Sequence, residues 1–437
     1  MKLSAFLKAA RGEDFARKVS LASAIVAAAT LCIVIGAVAV PVRGRILQSV
    51  GVVKQLARNW QAIYGIAPVE HLEPVRPYAT GPFAPDPAHM ARGVTFMTGL
   101  FGDALKARLV DENGAVIHEW PIDFFEQKKA KLYRFDALIH GAHLYENGDI
   151  LIVLDSVGLY RVNACGEVIW KNENGSHHSI DIDDEGFIWT PLRAVRYNEP
   201  RILPGDFRLD RIGRFDPDTG ALVETLDLVD ILLRSDEQGL ASIEPPGSHD
   251  LFHVNDVEIL SARKAAAFPE FSAGDILVSA RRQNMVFVID RADRKVKWVR
   301  IGATQYQHDP DFQPDGSITV FDNRGSAPAS RSNGWKGESG GSRIIAVRPG
   351  VFDYKVVYQS DFRNTFYSSR RGKHQRLENG NLLITETDAG RVFEATPSGD
   401  IVWRYVNRHD DANVGWVMSA TRFPSDYVSI EPSCRNP

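Results

Sequence analysis

Two short motifs alternate along most of this chain, and their recurrence constrains the fold more than any other feature. The first is a polar turn ending in glycine that leads into an apolar strand; it starts at Glu146, Asp183, Ser272, Gln313 and Leu377. The second is a turn before a strand that often ends in tryptophan, at Trp120, Trp170, Trp298 and Trp403, with a variant lacking tryptophan from Pro217. A repeat built only from short strands predicts an all-β propeller with one blade per repeat.

The number of repeats predicts the number of blades. Five repeats are legible, and the stretch from Gly93 to Ile122 supplies a degenerate sixth. The sequence therefore predicts a six-bladed β-propeller, with five or seven blades as alternatives. A β-sandwich or barrel is less favoured because neither needs a repeated turn–strand signature.

Composition excludes several classes of protein. The 437 residues carry 51 Lys and Arg against 55 Asp and Glu, and 44% are hydrophobic. Disordered chains have fewer apolar residues and a larger net charge, and nucleic-acid binders have a basic excess. Three cysteines are too few for a disulfide scaffold. Cys165 and Cys434 could pair if this part of the chain is exported, or remain thiols.

The N-terminal region contains one long uncharged run, from Val19 to Val42 between Lys18 and Arg43. As a helix its 24 residues span about 36 Å, enough to cross a hydrocarbon core of about 30 Å. We expect a retained transmembrane anchor; the alternative is a signal peptide cleaved after residues 37–39 (AVA). Basic residues number five before the run and four after it, which favours a cytoplasmic N-terminus and a periplasmic body.

These features predict four segments. Residues 1–18 form a short cytoplasmic N-terminus, 19–42 the single-pass anchor, 43–92 a connector and 93–437 the propeller and catalytic domain. The connector has helical spacing of apolar residues from Ile46 to Tyr64 and then becomes rich in proline.

Histidines recur a few residues before the first motif. They are His143, the pair His177 and His178, His308 and His374, and also His253, which an inserted loop separates from its motif. The innermost strand of each blade lines the central channel of a propeller. The spacing therefore predicts that five blades direct histidines at one axis, although a histidine at a repeated position can also be structural.

Amide and guanidinium side chains accompany these histidines. Asn255 follows His253 by two residues, Arg281 lies on the next predicted strand, and Arg324 follows the strand after His308 in the same repeat. Neutral imidazoles, amide donors and fixed cations suit an oxyanion with charge spread over several oxygens. An adjacent arginine opposes a dication, so no metal or other cofactor is predicted.

The order of these motifs resembles the bacterial arylsulfate sulfotransferase family. The motifs are HH, then HVND with SAR, then QHD with FDN, within residues 93 to about 430. The resemblance implies a six-bladed propeller that transfers sulfuryl groups from an aryl sulfate to a phenol by a ping-pong mechanism through a sulfohistidine. The chain departs from the family in two places: HHS stands where the family has HHD, and QHDP where QHT is frequent.

The resemblance also implies roles for individual residues. His308 matches the nucleophile, His253, Asn255 and Arg281 match the group that holds the sulfate, and His178 matches the remaining active-site histidine. The secondary candidates are His177, which could replace His178, and Arg324 and His374. His178 or His253 would exchange protons with the phenol.

The partners implied are an aryl sulfate donor, a phenolic acceptor and, through the N-terminal helix, a membrane; no nucleic acid is expected and the oligomeric state is open. The lack of a GxxxxGK phosphate loop agrees with a donor that is not a nucleotide sulfate. Two other functions remain open: a catalytically inactive propeller that serves as a binding or assembly module, and a metal-dependent hydrolase or lyase on the same fold.

Overall fold

Six four-stranded antiparallel sheets account for most of the structure, a computed structural model that describes Thr30 and residues 69–81, 83–127, 137–155, 157–243, 250–325, 340–362 and 364–434. In chain order the strands are β1 (Leu72–Pro74), β2 (Val94–Phe101), β3 (Ala104–Val110), β4 (Val116–Glu119), β5 (Ile139–Leu144), β6 (Ile150–Leu154), β7 (Gly158–Val162), β8 (Val168–Asn172), β9 (Asp181–Ile182), β10 (Ile188–Asn198), β11 (Asp206–Phe215), β12 (Leu222–Asp227), β13 (Val254–Ile259), β14 (Ile276–Ala280), β15 (Met285–Asp290), β16 (Lys295–Ile301), β17 (His308–Phe312), β18 (Ile318–Asp322), β19 (Arg343–Val347), β20 (Tyr354–Gln359), β21 (Lys373–Arg376), β22 (Leu382–Glu386), β23 (Arg391–Ala395), β24 (Ile401–Val406), β25 (Asn413–Gly415) and β26 (Val417–Phe423).

Helices are short and lie in the connections. The α-helices are α1 (Pro77–Thr80), α2 (Phe124–Gln127), α3 (Leu228–Ser235) and α4 (Ala262–Ala265). The 3₁₀ turns are Val69–His71, Gln238–Ile243, Thr387–Ala389 and Pro432–Cys434.

The sheets are the six blades of a propeller, which confirms the predicted fold class and blade count. Blades 1 to 5 are β5–β8, β9–β12, β13–β16, β17–β20 and β21–β24. Blade 6 joins the two ends of the domain, because β26 pairs antiparallel with β2, followed by β3 and β4. This pairing closes the ring of blades without leaving a blade incomplete.

The first strand of each blade lies at the centre. The first strands of neighbouring blades contact one another from β9 through β13, β17, β21 and β26 to β5. Gly141 of β5 approaches the backbone of residues 178–180, just before β9. Because all six enter the channel from the same end, residues at their starts share that end. The candidate site lies at this end of the channel.

Apolar side chains fill the spaces between the blades. Six separate clusters of buried hydrophobic residues lie one at each blade interface. Trp120, Trp170 and Trp403, which recur in the second sequence motif, each donate an indole N–H to a carbonyl of the next blade: Gly148, Pro217 and Glu112 respectively. The repeated tryptophan therefore links neighbouring blades by a hydrogen bond.

The glycine of the first motif has a backbone requirement. Gly148 has φ 83° and Gly380 has φ 86°, in the left-handed region that glycine adopts without steric cost. The glycine ends the turn between the first and second strands, so the motif marks the point where each blade leaves the channel.

The described part of the connector packs against the propeller. β1 pairs with β25, with Leu72 opposite Gly415. Arg76 and Tyr78 both bond to the buried Glu386 of blade 5. The helical first part of the connector lies outside the described residues.

The structure also bears on the two ends of the chain. Cys165 and Cys434 form a disulfide, so of the two alternatives for these cysteines the paired one is observed. Apart from Thr30, the predicted anchor of residues 19–42 falls outside the described residues. None of the helices in the described ranges has the length and apolarity needed to cross a bilayer.

Candidate active site

Six residues, one from each blade, surround one end of the channel, and we call them the channel ring. They stand at or just before the starts of the first strands and are, from blade 1 to blade 6, His140, His178, His253, His308, Arg371 and Trp416. Contacts run around much of the ring. The centroid of the His178 ring lies 4.4 Å from that of His140 and 5.0 Å from that of His253. The backbone N–H of Arg371 donates to His308 Nε2 at 3.2 Å. The guanidinium of Arg371 lies 4.2 Å from the ring centroid of Trp416.

The backbone of the ring is strained. His178, His253 and Arg371 have φ values of 64°, 51° and 63°, a region that non-glycine residues rarely occupy. Such conformations cost about 1–3 kcal/mol each and cluster at functional sites. Their repetition at equivalent positions is the first sign, independent of side-chain type, that this end of the channel is functional.

The hydrogen bonds of His308 fix its tautomer. Its Nδ1 lies 2.7 Å from Oδ1 of Asn323. The Asn323 amide orientation is set by its N–H groups, which donate to the carbonyls of Ser368 and Arg371 at 2.9 and 2.6 Å. Since Asn323 presents an acceptor, His308 Nδ1 must carry the proton and Nε2 keeps a lone pair.

His308 is held in its neutral form. Burial lowers its pKa well below the ordinary value, and the nearby Arg281 cation adds to this effect. The hydrogen bond to Asn323 opposes the shift but does not reverse it. A neutral imidazole with a defined lone pair is what nucleophilic attack requires.

Arg281 and Asn255 lie on blade 3, beside His308. The Arg281 guanidinium lies 4.6 Å from the Tyr306 ring centroid and forms no ion pair with a carboxylate in the described part of the chain. Burial and then the charge of Arg370 lower its pKa to about 10. Asn255 donates one N–H to the Gln307 carbonyl at 2.8 Å, which leaves its second N–H for a ligand. The arrangement provides a desolvated cation and an amide donor next to the His308 ring.

Three other histidines in or near the ring are backed by carboxylates. His253 Nδ1 lies 2.7 Å from Asp250, His177 Nε2 lies 3.4 Å from Asp210, and His140 Nδ1 lies 3.6 Å from Asp155. Carboxylate partners stabilise a protonated imidazole. His308, backed by a neutral amide, therefore differs chemically from the histidines suited to proton exchange.

The structure distinguishes His178 from His177. His178 contacts the rings of both His140 and His253, whereas His177 lies behind it, with the two Nδ1 atoms 2.6 Å apart. Burial disfavours the protonated form of His177, but the hydrogen bond and charge of Asp210 outweigh it and raise the pKa. Burial and then neighbouring His140 lower the pKa of His178 well below its ordinary value.

The serine of the HHS sequence has a structural role. Ser179 Oγ accepts a hydrogen bond from Val257 N at 3.0 Å and so links blade 2 to blade 3. Asp210, on β11 of the same blade, supplies a carboxylate to the histidine pair from another strand. The departure from HHD therefore does not leave the pair without an acid.

Three sequence candidates have no place in the ring. The fully buried His374 ring bonds to Asp309 through Nδ1 and to Thr319 through Nε2, at 3.0 and 2.8 Å. His143 packs its ring against Tyr145, with centroids 4.8 Å apart. Arg324 donates its backbone N–H to Asp322. The expectation that five blades contribute histidines is met by four, because Arg371 takes the fifth position and His140 replaces His143 in blade 1.

Sequence reasoning missed four residues of the site: His140, Asp155, Arg371 and Trp416. Asn323 stood in the FDN motif, but no contact with His308 was predicted for it. A signal for His140 was available. His140, His178 and His308 each precede the glycine of their motif by eight residues (148 − 140, 186 − 178 and 316 − 308), whereas His143 precedes Gly148 by five. The other three carry no repeated spacing.

Two groups of side chains bring possible metal-ligand atoms within 4.8 Å of one another: His140, Asp155 and His178, and Asp309, Asp311 and His374. The first group lies among ring residues that include the Arg371 guanidinium, which raises the free energy of a bound dication. In the second, Lys373 and His374 already pair with Asp309, at 2.6 and 3.0 Å. We therefore assign neither group as a metal site.

The fold and the site together define the class of protein: a six-bladed β-propeller with imidazole and guanidinium groups at one end of its channel. Within that class the chain belongs to the arylsulfotransferase (ASST) family, whose sequence profile matches residues 141–408. No curated protein sequence matches the chain.

Solved structures show distant similarity. A Bacteroides caccae protein of unknown function is 12% identical, with 76% of this chain and 98% of that chain covered and a TM-score of 0.47. A streptogramin B lyase is 13% identical, with coverage of 78% and 88% and a TM-score of 0.41. The virginiamycin B lyase of Staphylococcus aureus is 12% identical, with coverage of 62% and 70% and a TM-score of 0.35. These similarities are too distant to bear on function.

Proposed function

We propose that this protein transfers a sulfuryl group from an aryl sulfate to a phenolic acceptor through a sulfohistidine at His308. The observation that carries the proposal is the His308 tautomer. Asn323 holds the proton on Nδ1, and burial next to Arg281 keeps the ring neutral, so Nε2 has the lone pair that a nucleophile needs. In the ligand-free structure this lone pair accepts a hydrogen bond from the backbone N–H of Arg371 at 3.2 Å, which the sulfuryl group must displace.

The reaction proceeds in two half-reactions that share one sulfur centre. In the first, the Nε2 lone pair forms an N–S bond while the S–O bond to the aryl group breaks, and the electron pair leaves with the phenolate. In the second, the acceptor oxygen attacks sulfur, the N–S pair returns to Nε2 and the acceptor loses its proton to a base. This sequence gives ping-pong kinetics.

Arg281 and Asn255 contribute by positioning and electrostatics. Charge in a sulfuryl transition state spreads over the equatorial oxygens, as it does in phosphoryl transfer. A guanidinium without a carboxylate partner and a free amide N–H can bind those oxygens without first breaking an internal ion pair. His253, adjacent on blade 3, completes the set that holds the sulfate.

The cellular location is part of the same proposal. The uncharged run of residues 19–42 anchors the chain in the membrane, with the propeller on the periplasmic side. The Cys165–Cys434 disulfide supports this side, because disulfides persist in oxidising compartments.

The experiment is an acceptor-dependence assay. The protein is mixed with 4-nitrophenyl sulfate, with and without a phenol, and nitrophenol release is followed. Sustained release that depends on the phenol supports sulfuryl transfer. Release that ignores the phenol and stops with a chelator supports a metal-dependent hydrolase, for which the spacing of His140, Asp155 and His178 is the favouring observation. Absence of release with several donors supports a binding propeller.

Replacing Arg281 with glutamine tests the electrostatic control of His308. Removing the cation makes protonation of His308 easier, so its pKa rises and the acid limb of kcat/KM against pH moves to higher pH. The matched control is Arg404→Gln, since Arg404 also stacks on an aromatic ring, Phe83, but lies away from the ring residues. An acid limb that stays in place in Arg281→Gln would contradict this role.

A further inference from the structure

The order of the blades places His140 across the channel from His308. His140 belongs to blade 1 and His308 to blade 4, so three blade steps separate them in either direction around the six-bladed circle. The two neighbours of His308 in the ring are His253 and Arg371. No other ring residue lies as far around the circle from His308.

Sulfuryl transfer has a directional requirement. As in phosphoryl transfer, the attacking atom and the leaving oxygen lie on opposite sides of the transferred group. With Nε2 of His308 attacking from blade 4, the aryl oxygen departs toward blade 1. The group that exchanges a proton with that oxygen must therefore stand on the blade 1 side.

His140 has the partners expected of such a group. Its Nδ1 faces Asp155 Oδ1 at 3.6 Å and has no hydrogen-bond partner among the described residues, although only 11% of its side chain is exposed. Contacts of this kind are often long in ligand-free enzymes and shorten when substrate binds. A carboxylate on Nδ1 orients the imidazole and leaves Nε2 for the substrate.

The alternatives from sequence fit this position less well. His253 lies on blade 3, next to His308 and on the same side as Arg281. His178 has its Nδ1 against Nδ1 of His177. An oxygen of Asp155 lies within 4.8 Å of one of its ring nitrogens, but the ion pair found for Asp155 among the described residues is with His140. Burial lowers the pKa of free His140, while Asp155 opposes that effect, as would the negative charge of a bound aryl sulfate.

We propose, on the basis of the sulfuryl transfer proposed above, that His140 is the general acid and base of the reaction and that Asp155 positions it. Protonated His140 gives its proton to the leaving phenolate oxygen as the S–O bond breaks. Neutral His140 then takes the proton from the acceptor hydroxyl as the acceptor oxygen attacks sulfur. The proton count of the enzyme is restored after each cycle.

The test uses donors whose leaving phenols differ in acidity. kcat/KM for the donor reports only the first half-reaction of a ping-pong enzyme. A stable leaving group such as 4-nitrophenolate needs no proton, whereas phenolate does. We expect His140→Ala to lower kcat/KM for phenyl sulfate by about 10²–10⁴-fold and to change the value for 4-nitrophenyl sulfate only slightly. His140→Gln, which retains a polar side chain, should show the same pattern if the alanine variant folds poorly.

The matched control is His143→Ala. His143 is three residues further along the same strand and packs against Tyr145 rather than in the ring, so its loss should leave the dependence on leaving group unchanged. Equal losses on all donors in His140→Ala, or the graded pattern in His178→Ala or His253→Ala instead, would overturn the proposal. If the wild-type protein turns over none of the donors, the proposed sulfuryl transfer is contradicted, and the role of His140 that depends on it is contradicted too.

Discussion

His308→Ala is expected to lower sulfuryl transfer by about 10⁴-fold or more, the scale seen when a covalent nucleophile is removed. Among the ring histidines, His308 is the one whose Nδ1 contacts Asn323 and whose pKa is lowered by nearby Arg281. The measurement is the steady-state rate with 4-nitrophenyl sulfate and a phenol.

The control separates loss of the nucleophile from loss of folding. His143→Ala removes a partly buried imidazole from an innermost strand outside the ring and should retain most of the activity. Added imidazole should restore part of the activity of His308→Ala, since it can occupy the space left and accept the sulfuryl group. An alanine variant that keeps the wild-type rate would exclude His308 as the nucleophile.

Glu386→Ala is expected to lower the free energy of unfolding by about 3–5 kcal/mol, the cost of breaking a buried ion pair. The fully buried Glu386 accepts hydrogen bonds from Arg76 Nη1 at 2.9 Å, Arg391 Nε at 2.7 Å and Tyr367 N at 2.9 Å. Without the carboxylate, Arg76 and Arg391 remain desolvated with no opposite charge at that point.

The variant also tests how the connector is held. Arg76 and Tyr78 belong to the segment that contains β1, so Glu386→Ala should loosen that segment and make it more sensitive to protease. The exposed Glu378 of the same blade provides the control, and Glu378→Ala should leave the denaturant midpoint almost unchanged. Equal stability of Glu386→Ala and wild type would show that the carboxylate is not what docks the connector.

The fold was largely predictable because the repeat is encoded locally. The turn glycine recurs in five blades and the outer-strand tryptophan in four, and each has a local physical reason, a positive φ or a contact with the next blade. The closure of blade 6 is different. It depends on pairing of β2 with β26, more than 300 residues away, for which the sequence carries no local signal.

The site was predictable only in part. Residues in recurrent motifs, such as His308 and Arg281, could be found by their position in the repeat. The choice of His140 over His143 depends on strand register, which shifts between Ile139 and Gly141 in the pairing of β5 with β6. Arg371 could not be found by residue type, since it occupies a position where the pattern indicated histidine.

Intact mass measurement of the enzyme after brief mixing with 4-nitrophenyl sulfate, without acceptor, tests the central claim most directly. We predict a gain of one sulfuryl group per chain, located by peptide mapping at His308, absent from His308→Ala and lost when a phenol is added. Acceptor-dependent turnover without any mass gain, or a sulfuryl group on another residue, would contradict it.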